Sequence, residues 1–189
     1  MPIIRTLAPA ELVKYRDHLL RLSTEDRRLR FAHRVSDAAI DSFVGSLRPT
    51  QNHIFVVEND EGRVIAAVQA ALREHAGVEL AFSVDVEHRG RGLAGALVAR
   101  AVLWARNRRL EFVYLSCLAE NHPVRRLARR LGMRIELDSG NAEARMTLPP
   151  PSHLSLLREM AYDIAALRHA RLAYWRQRSP LRRLAAAHQ

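Results

Sequence analysis

Two arginines and three glycines crowd into Arg89-Gly90-Arg91-Gly92-Leu93-Ala94-Gly95. Residues of these types at this spacing suit the holding of phosphate oxygens. Gly90 and Gly92 omit side chains where a ligand must come close to the backbone. Free N–H groups at a helix start, with the helix dipole behind them, attract anions. Arg89 and Arg91 add charge that suits a diphosphate. The stretch is expected to bind a phosphorylated cofactor.

Strand and helix patterns flank this loop. Glu79 to Val86 carries Leu80, Phe82, Val84 and Val86 on one side, as a mostly buried strand does. After the basic turn, Leu93, Ala94, Leu97, Val98, Ala101 and Val102 recur at helical spacing. The letters Gly90-x-Gly92-x-x-Gly95 also match a dinucleotide fingerprint, with Glu120 as a ribose-binding acid. Three features oppose that reading. The loop follows several strands rather than opening a first βαβ unit. Three polar residues separate Val86 from Gly90. Only about one further βα unit follows, too little for a doubly wound sheet. A lysine-ending phosphate loop is absent, the chain's only lysine being Lys14.

The remaining elements are short. Ile3–Leu7 reads as a strand, and a helix from Pro9 to about Leu22 carries Leu12, Val13, Leu19 and Leu20 inward. Ser23-x-x-Asp26 opens a second helix, and Ser36 and Asp37 a third with Ile40, Phe43, Val44 and Leu47 facing in. His53–Glu58 and Arg63–Arg73 form a hairpin. Beyond the loop helix, which runs to about Arg108, come a strand at Glu111–Leu118, a helix at Asn121–Leu131 and a final hairpin of Met133–Leu137 and Ala142–Leu148. This order gives a mixed α/β sheet of the α+β type with helices on both faces.

Arg89-Gly90-Arg91-Gly92-Leu93-Ala94 resembles the Arg/Gln-x-x-Gly-x-Gly/Ala signature of the GNAT superfamily of N-acetyltransferases. Asn121, Leu127 and Leu131-Gly132-Met133 resemble that family's second acetyl-CoA motif. The resemblance covers about residues 1–148, and its local wording is most similar to the bacterial protein-lysine acetyltransferase branch. It implies a mostly antiparallel sheet, acetyl-CoA as acyl donor and direct acetyl transfer to a primary amine, with a protein lysine as one candidate, in a ternary complex. By that resemblance Val84 and Val86 offer backbone hydrogen bonds to the pantetheine arm. Arg89, Gly90, Arg91, Gly92, Ala94 and Gly95 hold the pyrophosphate, and Asn121 touches the cofactor. Asn121 also reads as a simple helix N-cap. The region between the first two strands shapes the acceptor pocket in such proteins.

A catalytic base must take the amine's proton. Glu79, where the protein-acetyltransferase branch has a glutamate, is expected to fill that role; Asp85 is the alternative carboxylate, on the same strand face. One departure from the family stands out. Ala128 occupies the position where many members carry the tyrosine that protonates the departing thiolate, leaving Tyr114, Ser116, His122 or water for the task. That departure keeps open an alternative, a non-catalytic module that binds acetyl-CoA as a sensor or docks a partner. Cys117 reads as strand core rather than nucleophile. No metal site is expected.

The 189 residues carry a formal charge of +10 and are 48% hydrophobic, enough for a proper core. No secretory signal or membrane span is evident, and one cysteine excludes an intramolecular disulfide, so a cytoplasmic location is expected. Pro149-Pro150-Pro151 marks a domain edge, separating residues 1–148 from a Pro-rich hinge and basic helix at 149–189. From 151 to 189 there are seven arginines and two acids, a net of +5. Leu156, Leu157, Met160, Ile164 and Leu167 mark one helical face. Packing through 152–177, on the helix's own domain or in a homodimer, is the first reading. An anionic membrane met by Tyr174 and Trp175 is the second. Nucleic acid comes last, because few aromatics accompany the scattered arginines. A break at Ser179-Pro180 and a mobile tail after Leu181 are expected.

Overall fold

The computed structural model describes residues 2–178. A seven-stranded sheet runs through it: β1 (Arg5–Thr6), β2 (Asn52–Glu58), β3 (Val64–Arg73), β4 (Gly77–Val84), β5 (Phe112–Leu118), β6 (Arg134–Asp138) and β7 (Asn141–Thr147), in the order β1-β2-β3-β4-β5-β7-β6. Every neighbouring pair is antiparallel except β4 with β5. The dinucleotide reading therefore falls, for it needs a parallel, doubly wound sheet.

Six helices cover the two faces: α1 (Leu12–Arg21), α2 (Thr24–Phe31), α3 (Asp37–Gly45), α4 (Leu93–Asn107), α5 (His122–Arg130) and α6 (His153–Arg178). Side-chain alternation along β2 divides the core. Ile54 and Val56 join Tyr15, Leu19, Ile40 and Val44 of α1 and α3, while Phe55 and Val57 join Leu97, Val98, Ala101 and Trp104 of α4. Helix starts follow the capping residues seen in sequence: Ser23 Oγ accepts from Asp26 N–H at 3.1 Å, and Ser36 Oγ from Ala39 N–H at 3.2 Å. Ser139 and Gly140, both at positive φ, close the β6–β7 hairpin.

Three sequence expectations are corrected. The central strand stops at Val84, not Val86, because the chain turns into a 3-10 segment at Val86–His88. Val13 is exposed, while Tyr15 and His18 join the expected Leu12, Leu19 and Leu20 on the inner face of α1. The third concerns α6, which docks through its polar side. Buried Arg100 of α4 meets Glu159 at 3.3 Å and Asp163 at 2.9 Å, and Asn107 donates to Glu159 at 2.7 Å. Ion pairing thus outweighs apolar burial, and Leu156, Leu157, Met160, Ile164 and Leu167 stay 45% to 70% exposed. The side chains of Tyr174 and Trp175, the Ser179-Pro180 break and the tail lie outside the described residues.

Candidate active site

Strands β4 and β5 pair only at Gly77–Glu79 with Phe112–Tyr114. Gly77 belongs at this close pairing, since a Cβ there would meet the Tyr114 ring at 2.9 Å. Beyond it the two strands part, although β4 continues to Val84 and β5 to Leu118. The gap opens into a cavity of about 590 Å³. Strand residues Leu80–Val84 form one wall and Leu115–Cys117 the other. The loop and the start of α4 close one end, α5 flanks it, and α2 borders the remaining side.

The loop is built as its residues dictate. Gly90 and Gly92 take φ of +75° and +74°, a left-handed conformation costly for residues with a Cβ. A Cβ at either position would meet nothing within 4 Å, so the space in front of the loop is open. Gly92 caps α4 with no side chain, and the first turn of that helix leaves its N–H groups without intrahelical partners. Gly95 lies against Leu127 of α5. This open space, the helix start and the cationic rim fit a diphosphate, and the parted strands fit an extended arm.

Of the residues selected from sequence, Val84, Arg89, Gly90, Gly92, Ala94, Gly95 and Asn121 line the cavity. Val86 and Arg91 do not. Val86 is exposed in the 3-10 turn, and Arg91 donates to the Glu87 carbonyl at 3.3 Å. The Val84 carbonyl accepts from Arg89 Nε at 3.2 Å. Asn121 is buried and caps α5, its Oδ1 accepting from Val124 N–H at 3.3 Å, while still bordering the cavity.

Neither expected base reaches the cavity wall. Glu79 sits where β4 still pairs with β5, its carboxylate held by Arg73. Asp85 turns away to His18 and Arg21. Burial pushes its carboxyl up, but contact with His18 and the charge of Arg21 outweigh this and hold it below the usual range. Among the substitutes for the missing tyrosine, Ser116 lines the cavity; Tyr114 and His122 do not. Ala128 is buried with Met133 in the core. Cys117 is buried too, and burial pushes its thiol up, away from thiolate chemistry.

Several cavity residues escaped the sequence reading. Arg126 and Arg130 line the cavity from one face of α5, at i and i+4. Arg30 of α2 donates to Tyr15 Oη at 3.0 Å and Gln69 Oε1 at 2.8 Å. Ser83 lines the wall and binds buried His18. The signal for His18 was present: a histidine among the apolar positions of α1. Nothing in sequence marked α5 arginines apart from the many others.

A family model described as "Acetyltransferase (GNAT) family" matches residues 16–133. No curated protein matches the chain. Among solved structures, the GNAT domain of S. lividans PAT superposes with a TM-score of 0.66 at 19% identity, over 77% of this chain and 89% of that one. Spermidine N-acetyltransferase from Vibrio cholerae, in complex with CoA and spermine, gives 0.60 at 20% identity, over 76% and 94%. Ribosomal-protein-alanine N-acetyltransferase from Brucella melitensis gives 0.57 at 19%, over 77% and 99%. At such identities the likeness carries the fold.

Proposed function

The chain belongs to the acetyltransferase (GNAT) family, an N-acetyltransferase family whose donor is acetyl-CoA, and from that premise we propose that it acetylates a primary amine by direct attack in a ternary complex. The observation that carries this reading is the single cavity joining the glycine loop, the parted strands and the side bordered by α2. Donor and acceptor then meet without a covalent enzyme intermediate.

Bound acetyl-CoA supplies the acyl group and a thiolate leaving group. The chain does the rest. Backbone N–H groups at the start of α4, with Arg89, hold the diphosphate. Arg126 and Arg130 add positive charge beside it. Edge groups of β4 freed by the parting of the strands hold the pantetheine arm and steady the oxyanion. Apolar Leu22 and Leu29, beside Phe82, exclude water from the acceptor side.

The acceptor is a lone amine such as a protein lysine or N-terminus, rather than a polyamine. Asp26 is the one carboxylate among the lining residues, and Arg89 engages it at 2.7 Å. A polycation would find no free anion there.

Calorimetric titration with acetyl-CoA, coenzyme A and NADH, followed by assay of acetyl transfer to amines, tests the reading. Saturable binding of the first two and acetylated product support it. Donor binding without turnover on any amine would favour the sensor reading that Ala128 keeps open.

A further inference from the structure

His18 is fully buried on the inner face of α1, where a leucine would pack at no polar cost. Its ring joins two groups of the central strand region. Nε2 lies 2.8 Å from Ser83 Oγ. Nδ1 lies 3.0 Å from Asp85 Oδ1, without the alignment of a hydrogen bond. Asp85 is in turn 3.3 Å from Arg21 Nη2, which also donates to the Val64 carbonyl. Ser83 lies in β4 and Asp85 directly follows its last residue, Val84, and both side chains reach the one imidazole. Of the three, only Ser83 lines the cavity.

We propose that Ser83, His18 and Asp85 form the proton relay of acetyl transfer, Ser83 being the catalytic residue at the acceptor amine and His18 and Asp85 acting through it. The proposal rests on the acetyl-transfer reading above. It answers a lack of carboxylates in the cavity, whose one lining carboxylate is tied to Arg89; the lining imidazole, His88, belongs to the turn that leads into the diphosphate loop. The amine enters neutral, its ammonium proton having gone to water. As its nitrogen bonds the acetyl carbon, its surplus proton passes to Ser83 Oγ while the Ser83 proton passes to His18 Nε2. Asp85 opposes the imidazolium charge. The carbon–sulfur bond breaks with its electron pair on sulfur, and the proton held by His18 returns through Ser83 to the thiolate. The relay thus also does the work of the tyrosine that Ala128 replaces.

A purely structural His18–Ser83 contact would tie α1 to the sheet and nothing more. Two measurements separate the cases. Nitrogen-15 NMR of the free protein reads the tautomer: the relay requires a proton on Nδ1 and a bare Nε2 accepting from Ser83. A proton on Nε2 overturns it. Turnover is then measured with acetyl-CoA and the best acceptor among a lysine peptide, a peptide with N-terminal alanine, and spermidine. Ser83→Ala is expected to lower kcat about 100-fold, within the range for lost acid–base catalysis. Acetyl-CoA affinity should stay unchanged by calorimetry, and Ser83→Thr, which keeps the hydroxyl, should recover most of the rate. His18→Gln should lose as much as Ser83→Ala, and the double variant no more, as groups acting as a unit do. A Ser83→Ala protein with wild-type kcat overturns the relay but leaves acetyl transfer standing. A wild-type protein that binds acetyl-CoA yet acetylates none of the three removes both.

Discussion

The Arg89 guanidinium ties two sides of the cavity together: Nη2 lies 2.7 Å from Asp26 Oδ1 on α2, and Nε donates to the Val84 carbonyl at 3.2 Å. A diphosphate at the loop must compete with Asp26 for this cation. Arg89→Ala is expected to weaken coenzyme A binding about 10- to 100-fold, the value of a charge-assisted hydrogen bond worth ~1.5–3 kcal/mol. Asp26→Asn removes the competitor and should tighten binding severalfold. Calorimetry on the two variants checks both signs. Weaker binding by Asp26→Asn would mean that the carboxylate aims Arg89 at the ligand rather than withholding it.

Gly92 offers a second handle on the same end of the cavity. At φ +74° a side chain costs about 1–2 kcal/mol of backbone strain. A Cβ there points into open space, so no neighbour resists it and the fold should survive. The same space receives the diphosphate in our reading. Gly92→Val should therefore lose at least about tenfold in coenzyme A affinity, by loss of one or more backbone hydrogen bonds worth ~1–3 kcal/mol. Its thermal midpoint should drop by only a few degrees. A fully bound Gly92→Val would put the phosphates elsewhere.

These two residues show why the loop was legible in sequence. Glycine at positive φ, arginine at an anion site and apolar residues at helical spacing are local demands, visible over a dozen residues. The base was not. Glu79 follows from the family resemblance and its place at the start of a strand, but whether a strand residue reaches a cavity depends on where β4 parts from β5, and that is set by the partner strand. Ser83 and His18 stand 65 positions apart and meet only when α1 lies across the sheet. The apolar face of α6 misled for a related reason: periodicity marks a face, whereas Arg100, buried on α4, decides which face docks.

The docking of α6 should depend on pH. Burial pushes the Glu159 carboxyl up, but hydrogen bonds from Asn107 and Arg108, with the charges of Arg108 and Arg100, outweigh it and hold the group below the usual carboxylate range. A depressed folded pKa stabilises above the unfolded value and is lost as pH falls through the folded one. Stability should thus fall on acidification below the ordinary carboxylate range. Glu159→Gln should cost about 1–3 kcal/mol at neutral pH by leaving buried Arg100 with Asp163 alone. It should also flatten the acid slope. Denaturant melts from neutral pH downward read both effects.

Acceptor choice should follow Arg30. Its Nη2 donates to neutral partners, Tyr15 and Gln69, and its Nε is buried without a partner. Among the described residues, no carboxylate pairs with this cation. An acceptor with an acid near its amine gains where spermidine is repelled. A lysine peptide with a neighbouring glutamate should therefore show a higher kcat/KM than the same peptide with a lysine in that place. Arg30→Met should shrink the difference. Equal rates for both peptides with the unaltered protein would remove Arg30 from acceptor selection.

Glu79→Gln is the variant that decides between the two candidate bases. The Glu79 carboxylate is held by Arg73 at the start of β4, where the strands are still paired, and it does not line the cavity. A partly exposed ion pair of this kind is worth about 0–1 kcal/mol, so stability should change little. Turnover should stay within about threefold of the unaltered protein, as for a substitution remote from the chemistry. Ser83→Ala, by contrast, should lose about 100-fold. If Glu79→Gln instead loses that much with acetyl-CoA binding intact, the acceptor amine must sit further along β4 than the cavity wall reaches, and the proton leaves through Glu79. The two variants cannot both be silent while the protein acetylates an amine through either group, so one pair of kcat values assigns the base.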